Sequence, residues 1–190
     1  MESKLQIISG KFRGRKLVLP SGARPTQNRA KIALFNMLES NIVKPGVKMT
    51  VWDAFAGSGA FGLECVSRYG ANVIFTDVAP ESIATIRKNI NAVSAETRAK
   101  IIQTDAIGVI PQYAKDTDIV FVDAPYDMAE LGRAFVNKLG RAAKSGTILI
   151  WEQEANNAVE PNTDTWEVLR DKVYGRARFL ILSQKQLKIP

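Results

Sequence analysis

The chain has 190 residues, 46% hydrophobic and 24% charged, with a formal net charge of +7, one cysteine and no histidine. That length suits one α/β domain with a small appendage rather than two enzyme domains, the composition is globular, and no apolar run reaches the roughly twenty residues of a bilayer span. A lone cysteine excludes an internal disulfide, the lack of histidine excludes any histidine-dependent triad or general base, and the opening Met1-Glu2-Ser3-Lys4-Leu5 lacks a secretory layout, so a cytoplasmic location without membrane contact is expected.

The charge is unevenly spread. Residues 1–48 hold ten Lys or Arg against two acids, a balance of +8, while the remaining 142 residues hold sixteen bases and seventeen acids. A basic block beside a near-neutral domain is the footprint of a polyanion partner, because each neutralised phosphate releases condensed counterions. Within the block, residues 5–8 and 16–19 read as two short strands around the basic turn Gly10-Lys11-Phe12-Arg13-Gly14-Arg15, a hairpin. After Arg24-Pro25-Thr26, the residues Ala30, Ala33, Leu34, Met37 and Leu38 recur at helical spacing, with Arg29 and Lys31 placed off the apolar stripe. Lys11, Arg13, Arg15, Lys16, Arg24, Thr26, Arg29 and Lys31 are therefore the candidate nucleic-acid contacts. Pro45-Gly46 punctuates the chain, dividing an extension over 1–48 from a main domain over 49–190.

From Met49 onward apolar runs alternate with helical stretches. Strands are predicted at 50–55, 72–77, 100–104, 118–123 and 146–151, and helices at about 60–69, 81–92 and 128–142. Such alternation implies a parallel sheet covered on both faces. Two further runs, 166–174 and 178–184, flank Gly175-Arg176-Ala177 and predict a closing hairpin with an antiparallel edge.

Gly57-Ser58-Gly59-Ala60-Phe61-Gly62 matches G-x-G-x-x-G, a loop whose glycines let backbone approach a cofactor without saying which one. Asp77 follows at the next strand end, where a ribose-binding acid belongs. Asp53 stands just before the loop, where a carboxylate repels a pyrophosphate but suits S-adenosylmethionine, which carries an ammonium and a sulfonium. Asp105-Ala106 ends the third strand, placed either to hold an adenine edge or to cap a helix. Asp53, Phe55, Ala56, Gly57, Ser58, Gly59, Asp77, Val78, Asp105 and Ala106 form the candidate cofactor set. No metal site is expected.

Asp123-Ala124-Pro125-Tyr126 ends the fourth strand and bears the candidate chemistry. An exocyclic amine on a purine is a poor nucleophile, because its lone pair is delocalised into the ring. The Asp123 carboxylate and the Ala124 carbonyl can each accept one amine hydrogen and so aim the lone pair at a methyl donor, with Pro125 stiffening the loop and Tyr126 stacking on the base. Cys65 falls on an apolar stripe and reads as core.

In this order the motifs resemble the RsmD family of bacterial ribosomal RNA guanine-N2 methyltransferases: Ile8-Ser9-Gly10-Lys11-Phe12-Arg13-Gly14-Arg15-Lys16-Leu17, Arg24-Pro25-Thr26 with Arg29 and Leu34-Phe35-Asn36, then Asp53 to Glu64, and Asp123 to Tyr126. The resemblance implies a Rossmann-like, seven-stranded class I methyltransferase fold with an N-terminal extension. It also implies S-adenosylmethionine as donor and a guanine of small-subunit 16S rRNA as acceptor, worked on by a monomer. By similarity Asp53, Gly57 and Gly59 line the methionine and ribose side, Asp77 the ribose hydroxyls, Asp105 the adenine, and Asp123 to Tyr126 the target base. The family motif reads Asp-Pro-Pro-(Phe/Tyr), so Ala124 is a departure that keeps the carbonyl and loses proline's fixed φ, and Asp127 adds negative charge beside it. A nicotinamide-dependent dehydrogenase accounts only for the glycine loop and Asp77. A DNA amino-methyltransferase and a non-catalytic rRNA-binding assembly factor are the other readings of the same motifs.

Overall fold

Runs that are apolar on both sides of the pleat become central strands, and those that alternate become edges. In the computed structural model, which describes residues 5–21, 28–40, 42–43 and 46–185, seven strands form one sheet: β1 (Thr50–Asp53), β2 (Asn72–Asp77), β3 (Ala99–Gln103), β4 (Ile119–Val122), β5 (Ile148–Glu154), β6 (Trp166–Tyr174) and β7 (Ala177–Gln184). Their order is β3-β2-β1-β4-β5-β7-β6. The first five pair in parallel, and β7 runs antiparallel to both β5 and β6. All four residues of β4 are buried, as a strand covered on both faces requires, whereas β6 is mostly exposed at the edge.

The helices are α1 (Asn28–Glu39), α2 (Ala60–Tyr69), α3 (Pro80–Ala92), α4 (Ile110–Tyr113) and α5 (Ala129–Ala142). Strand and helix bounds follow the predicted ones closely, with β5 running on to Glu154 and α4 unforeseen, since four residues are too few to show a period.

Period-two alternation splits the core into two layers. Val51, Phe75, Ile119, Phe121, Ile150 and Ile181 face one side, where they meet α2, α3 and α1 through Phe61, Ile86, Leu34 and Phe35. Trp52, Val120, Val122, Leu149 and Trp151 face the other, against Tyr113, Phe135, Val136 and Leu139 of α4 and α5. The buried indoles keep their N–H groups satisfied: Trp52 donates to Thr76 Oγ1 at 2.9 Å and Trp166 to the Val136 carbonyl at 3.2 Å.

The predicted N-terminal strand pair is reduced to one bridge, Gln6 to Lys16, supported by Leu17 N–H donating to the Leu5 carbonyl. The reason is that side chains of the main domain take the backbone groups a longer ladder would use. Glu64 of α2 accepts the amides of Ile8 (2.8 Å) and Ser9 (2.9 Å) and is held by Arg68 Nε at 2.7 Å. Ser67 accepts Phe12 N–H at 2.9 Å, and Asn89 of α3 both accepts Val18 N–H (2.8 Å) and donates to the Val18 carbonyl (2.9 Å). Leu5, Ile7 and Leu17 are buried in the same layer as α1. Residues 5–20 are thus stitched onto the sheet's helical cover.

Glu64 is fully buried, so Glu64→Ala strands two amides and leaves the Arg68 guanidinium with Glu39 as its remaining acid partner. We expect a loss of about 3–5 kcal/mol in urea denaturation, together with faster tryptic cleavage at Lys11 to Lys16. An unchanged midpoint and cleavage rate would show that Glu64 does not fasten the segment.

Candidate active site

The chain lays down β1, β2 and β3 in one direction and then crosses back to place β4 on the other side of β1. Open α/β sheets bind ligands at this reversal, outside the carboxyl ends of the strands. Asp53 closes β1, and its register partner on β4 is Phe121. Asp123, two residues beyond Phe121, therefore projects from the same sheet face as Asp53.

The glycine loop rises from β1 into α2. Gly57 and Gly59 adopt left-handed φ values of 53° and 73°, and Gly59 caps α2 with no side chain to take the helix's first amides. Gly62 has a different role: a Cβ there would lie 2.4 Å from Phe75 Cε1 and 2.7 Å from Val73 Cγ1, so only glycine lets α2 sit this close to β2. The Gly62 amide donates to Asp53 Oδ2 at 3.0 Å, the one protein donor on that carboxylate among the described residues. Asp77, half-buried at the end of β2, accepts Gly57 N–H on Oδ2 (2.8 Å) and Ala79 N–H on Oδ1 (2.9 Å). Val78 beside it is 65% exposed, an apolar surface open at the rim.

The remaining cofactor candidates lie along the same rim. Phe55 packs edge-on against Phe135, the Ser58 carbonyl accepts from Asn89 Nδ2 at 2.8 Å, and Ala56 is buried, its N–H donating to Thr76 O at 3.0 Å. Asp105 is exposed and turns its Oδ1 onto Ile107 N–H at 3.0 Å, an Asx turn above buried Ala106.

Across the switch point, Asp123 opens partly to the crevice and Ala124 is buried, while Pro125 is exposed and leads into a 3-10 turn, Tyr126–Met128. Among the described residues Asp123 has no hydrogen-bond donor, and a shallow cleft bounded by Ala124, Pro125, Tyr126, Trp151 and Glu152 begins at the next residue. The Tyr126 hydroxyl donates to Glu152 Oε1 at 3.1 Å. Glu152 was absent from the sequence-based candidates, although it obeys the same rule as the others: it is an acid at the carboxyl end of a parallel strand.

Burial dominates the electrostatics. Asp53 is pushed up to about 8, first by burial and then by the charges of Asp123 and Asp77, with the Gly62 amide and Lys31 opposing. Burial also lifts Asp123 to about 7 and holds Glu152 well above the usual carboxylate range, with the Asp123 charge adding to the latter. Asp123 has no donor among the described residues and Asp53 and Glu152 have one each, so the crevice suits a ligand that brings more.

Of the basic candidates, Lys11, Arg13, Arg15 and Lys16 are exposed on or next to the turn, each within four residues in sequence of the Phe12 amide fastened by Ser67. Lys31 is corrected: it is 5% exposed, its Nζ is enclosed with no acceptor among the described residues, and burial lowers its pKa against the pull of Glu64 and Asp53. It cannot reach nucleic acid. Lys31, Leu34, Phe35 and Leu38 are spaced i, i+3, i+4, i+7, so the lysine occupies the first position of the buried stripe. Arg24 and Thr26 lie outside the described residues, as does the Arg29 side chain. Cys65 is fully buried and its thiol is raised by burial, which makes it core.

The family model described as Conserved hypothetical protein 95 matches residues 5–183. Ribosomal RNA small subunit methyltransferase D of Escherichia coli K12 is 32% identical over 187 residues, covering 96% of this chain and 91% of that protein. Among solved structures, a putative methyltransferase from E. coli superposes with a TM-score of 0.81 at 30% identity, covering 95% of this chain and 98% of that one. An RNA methyltransferase from Salinibacter ruber, solved with S-adenosyl-L-homocysteine, gives a TM-score of 0.64 at 15% identity over 88% of this chain and 97% of that one, a likeness of fold. The sheet order, the loop after β1 and the match from end to end agree: the fold is that of a class I methyltransferase, and the chain belongs to the ribosomal RNA small subunit methyltransferase D family.

Proposed function

We propose that this protein transfers a methyl group from S-adenosylmethionine to the exocyclic N2 of a guanine in small-subunit ribosomal RNA, in the cytoplasm where that RNA is assembled. The observation that carries the reading is the seam between β1 and β4, which puts the glycine loop and the Asp123-Ala124-Pro125-Tyr126 segment on one crevice. Membership of a family whose curated relatives are named rRNA small subunit methyltransferases supports the RNA acceptor.

The residues present fit the donor. Asp53 has one protein donor and feels the charges of Asp123 and Asp77 more strongly than that of Lys31, which favours a cationic ligand over a pyrophosphate. Asp77 keeps acceptor capacity beyond its two backbone donors for ribose hydroxyls, and Val78 offers an apolar face to a flat ring. When bound, S-adenosylmethionine supplies an electrophilic methyl on sulfur. Asp123 and the Ala124 carbonyl accept the two hydrogens of the guanine amine and hold its lone pair in line with that methyl. The Asp123 carboxylate would take the surplus N2 proton once the amine had accepted the methyl. Rate enhancement comes from orientation and from a buried carboxylate facing the nitrogen as it becomes cationic. Ala124 preserves the carbonyl acceptor, and the tether from Tyr126 to Glu152 restrains the segment where the family's first proline is missing.

The direct test is transfer of labelled methyl from S-adenosylmethionine to small-subunit rRNA, free and in assembled subunits, with nucleoside analysis. N2-methylguanosine is the expected product; a methylated adenine or cytosine in DNA would replace this reading with the DNA amino-methyltransferase. Asp123→Ala should lower turnover by at least about a hundredfold while calorimetric affinity for S-adenosylmethionine stays within a few-fold.

Residues 1–48 serve as the RNA-binding extension in this proposal. Changing Arg13, Arg15 and Lys16 together to alanine should weaken rRNA binding and reduce the slope of log affinity against log salt by up to about 3. An unchanged slope would make the turn an ordinary solvated face.

The buried acids set a pH dependence for the protein without ligand. Asp53 has a folded pKa of about 8 against 3.8 in the unfolded chain, so between those values the folded state binds more protons and stability falls as pH rises. Asp123 acts in the same direction up to about 7. Urea midpoints should decline from pH 5 to pH 7.5, and Asp53→Asn should flatten the decline; a profile identical to wild type would mean that Asp53 is ionised at no cost.

A further inference from the structure

Glu152 is 4% exposed, following the apolar run Ile148 to Trp151 on β5 and preceding the buried Gln153. Val122 of β4 pairs with Trp151 of β5, so the next residues, Asp123 and Glu152, leave adjacent strands side by side and toward the same face. Glu152 borders the cleft that Ala124 and Tyr126 also line, and Ala124 follows Asp123 directly in the chain. One oxygen of Glu152 is committed: Oε1 accepts the Tyr126 hydroxyl at 3.1 Å. Oε2 has no donor among the described residues, so the tyrosine fixes the carboxyl's rotation and leaves one acceptor directed away from itself.

The edge of a guanine that carries the reacting amine presents two kinds of donor in a row, N2–H₂ and N1–H. Adenine presents an N1 acceptor in the corresponding place. Two neighbouring acceptors, one for the amine and one for the ring N–H, therefore distinguish the two purines.

We infer that Glu152, oriented by Tyr126, accepts the N1–H of the target guanine while Asp123 accepts from N2, making Glu152 the residue that specifies guanine. The inference rests on the methyltransferase reading above and assigns a residue within it. A carboxylate on N1–H does a second service. It draws the N1 proton toward itself and places electron density in the N1–C2–N2 unit, which makes the amine a better nucleophile. In the protein without RNA, the two carboxyls are held above their ordinary range by burial, and a guanine delivers the donors they lack.

The test uses small-subunit rRNA in which the guanosine methylated by the wild-type protein is replaced, by ligation, with 2-aminopurine. That base keeps the amine and turns N1 from a donor into an acceptor. Wild-type protein should discriminate against it by at least about tenfold in kcat/KM, because Glu152 then faces a lone pair. Glu152→Gln supplies the reverse arrangement: Tyr126 keeps Oε1 and the amide Nε2 donates to N1. The preference for guanine over 2-aminopurine should fall by on the order of tenfold to a hundredfold, with activity on 2-aminopurine rising above wild type. Equal losses on both RNAs would reduce Glu152 to a structural residue and overturn the inference. Should the variant not fold, the wild-type comparison decides alone, since equal use of both bases overturns the assignment. If N2-methylguanosine forms and the preference does not respond, this inference fails by itself; if no N2-methylguanosine forms, the functional reading fails with it.

Discussion

Reversal of strand order at β1 and β4 is the constraint from which the site follows. It brings two aspartates to the ends of neighbouring strands, about 4.8 Å apart in the direction of the sheet's hydrogen bonds, and β5 adds Glu152 on the far side of Asp123. Each acid is buried by the layers that stabilise the sheet, so the same packing that makes the core deprives the carboxylates of water. One amide, Gly62 N–H, and one phenol, Tyr126, are all the direct donors that Asp53 and Glu152 receive among the described residues. A sheet with this edge is incomplete until a ligand with several N–H or cationic groups fills it.

That deficit has a cost in the free protein and a use in the complex. Buried carboxylates without partners disfavour their charged forms, and the raised values at Asp53 and Asp123 express this. Lys31 sits within reach of the fields of Glu64 and Asp53 yet is itself desolvated, with an enclosed Nζ that finds no acceptor among the described residues. The arrangement favours ligand complementarity over apo stability, a familiar exchange at active sites.

The N-terminal segment shares in the core. Leu5, Ile7 and Leu17 join α1 in the apolar layer over the sheet, while Glu64 and Ser67 fasten the basic turn to α2. Asn89 is bonded at once to Val18 of the segment and to the Ser58 carbonyl of the glycine loop. The segment that carries the exposed cations and the glycine loop are therefore tied to one buried side chain. Their relative placement is set by the fold and does not depend on a flexible tether.

Much was legible in the sequence because two local rules govern it. Apolar periodicity located the strands and the three long helices to within a few residues, and the rule that acids end parallel strands marked Asp53, Asp77, Asp105 and Asp123. Glycines at 57, 59 and 62 announced a tight strand-to-helix turn, because φ > 0 and close approach are demands on one residue at a time. The sequence by itself determined the strands of the sheet, the glycine loop and the Asp123-Ala124-Pro125-Tyr126 motif, each a property of contiguous residues. Only the tertiary structure decided that Lys31 is enclosed between α1 and α2, that Glu64 and Asn89 cut the N-terminal ladder to a single bridge, and that Glu152 stands beside Asp123 with its carboxyl held by Tyr126. Those outcomes depend on pairings across 26 to 71 positions of chain, and no local spacing encodes which buried group a distant side chain will meet.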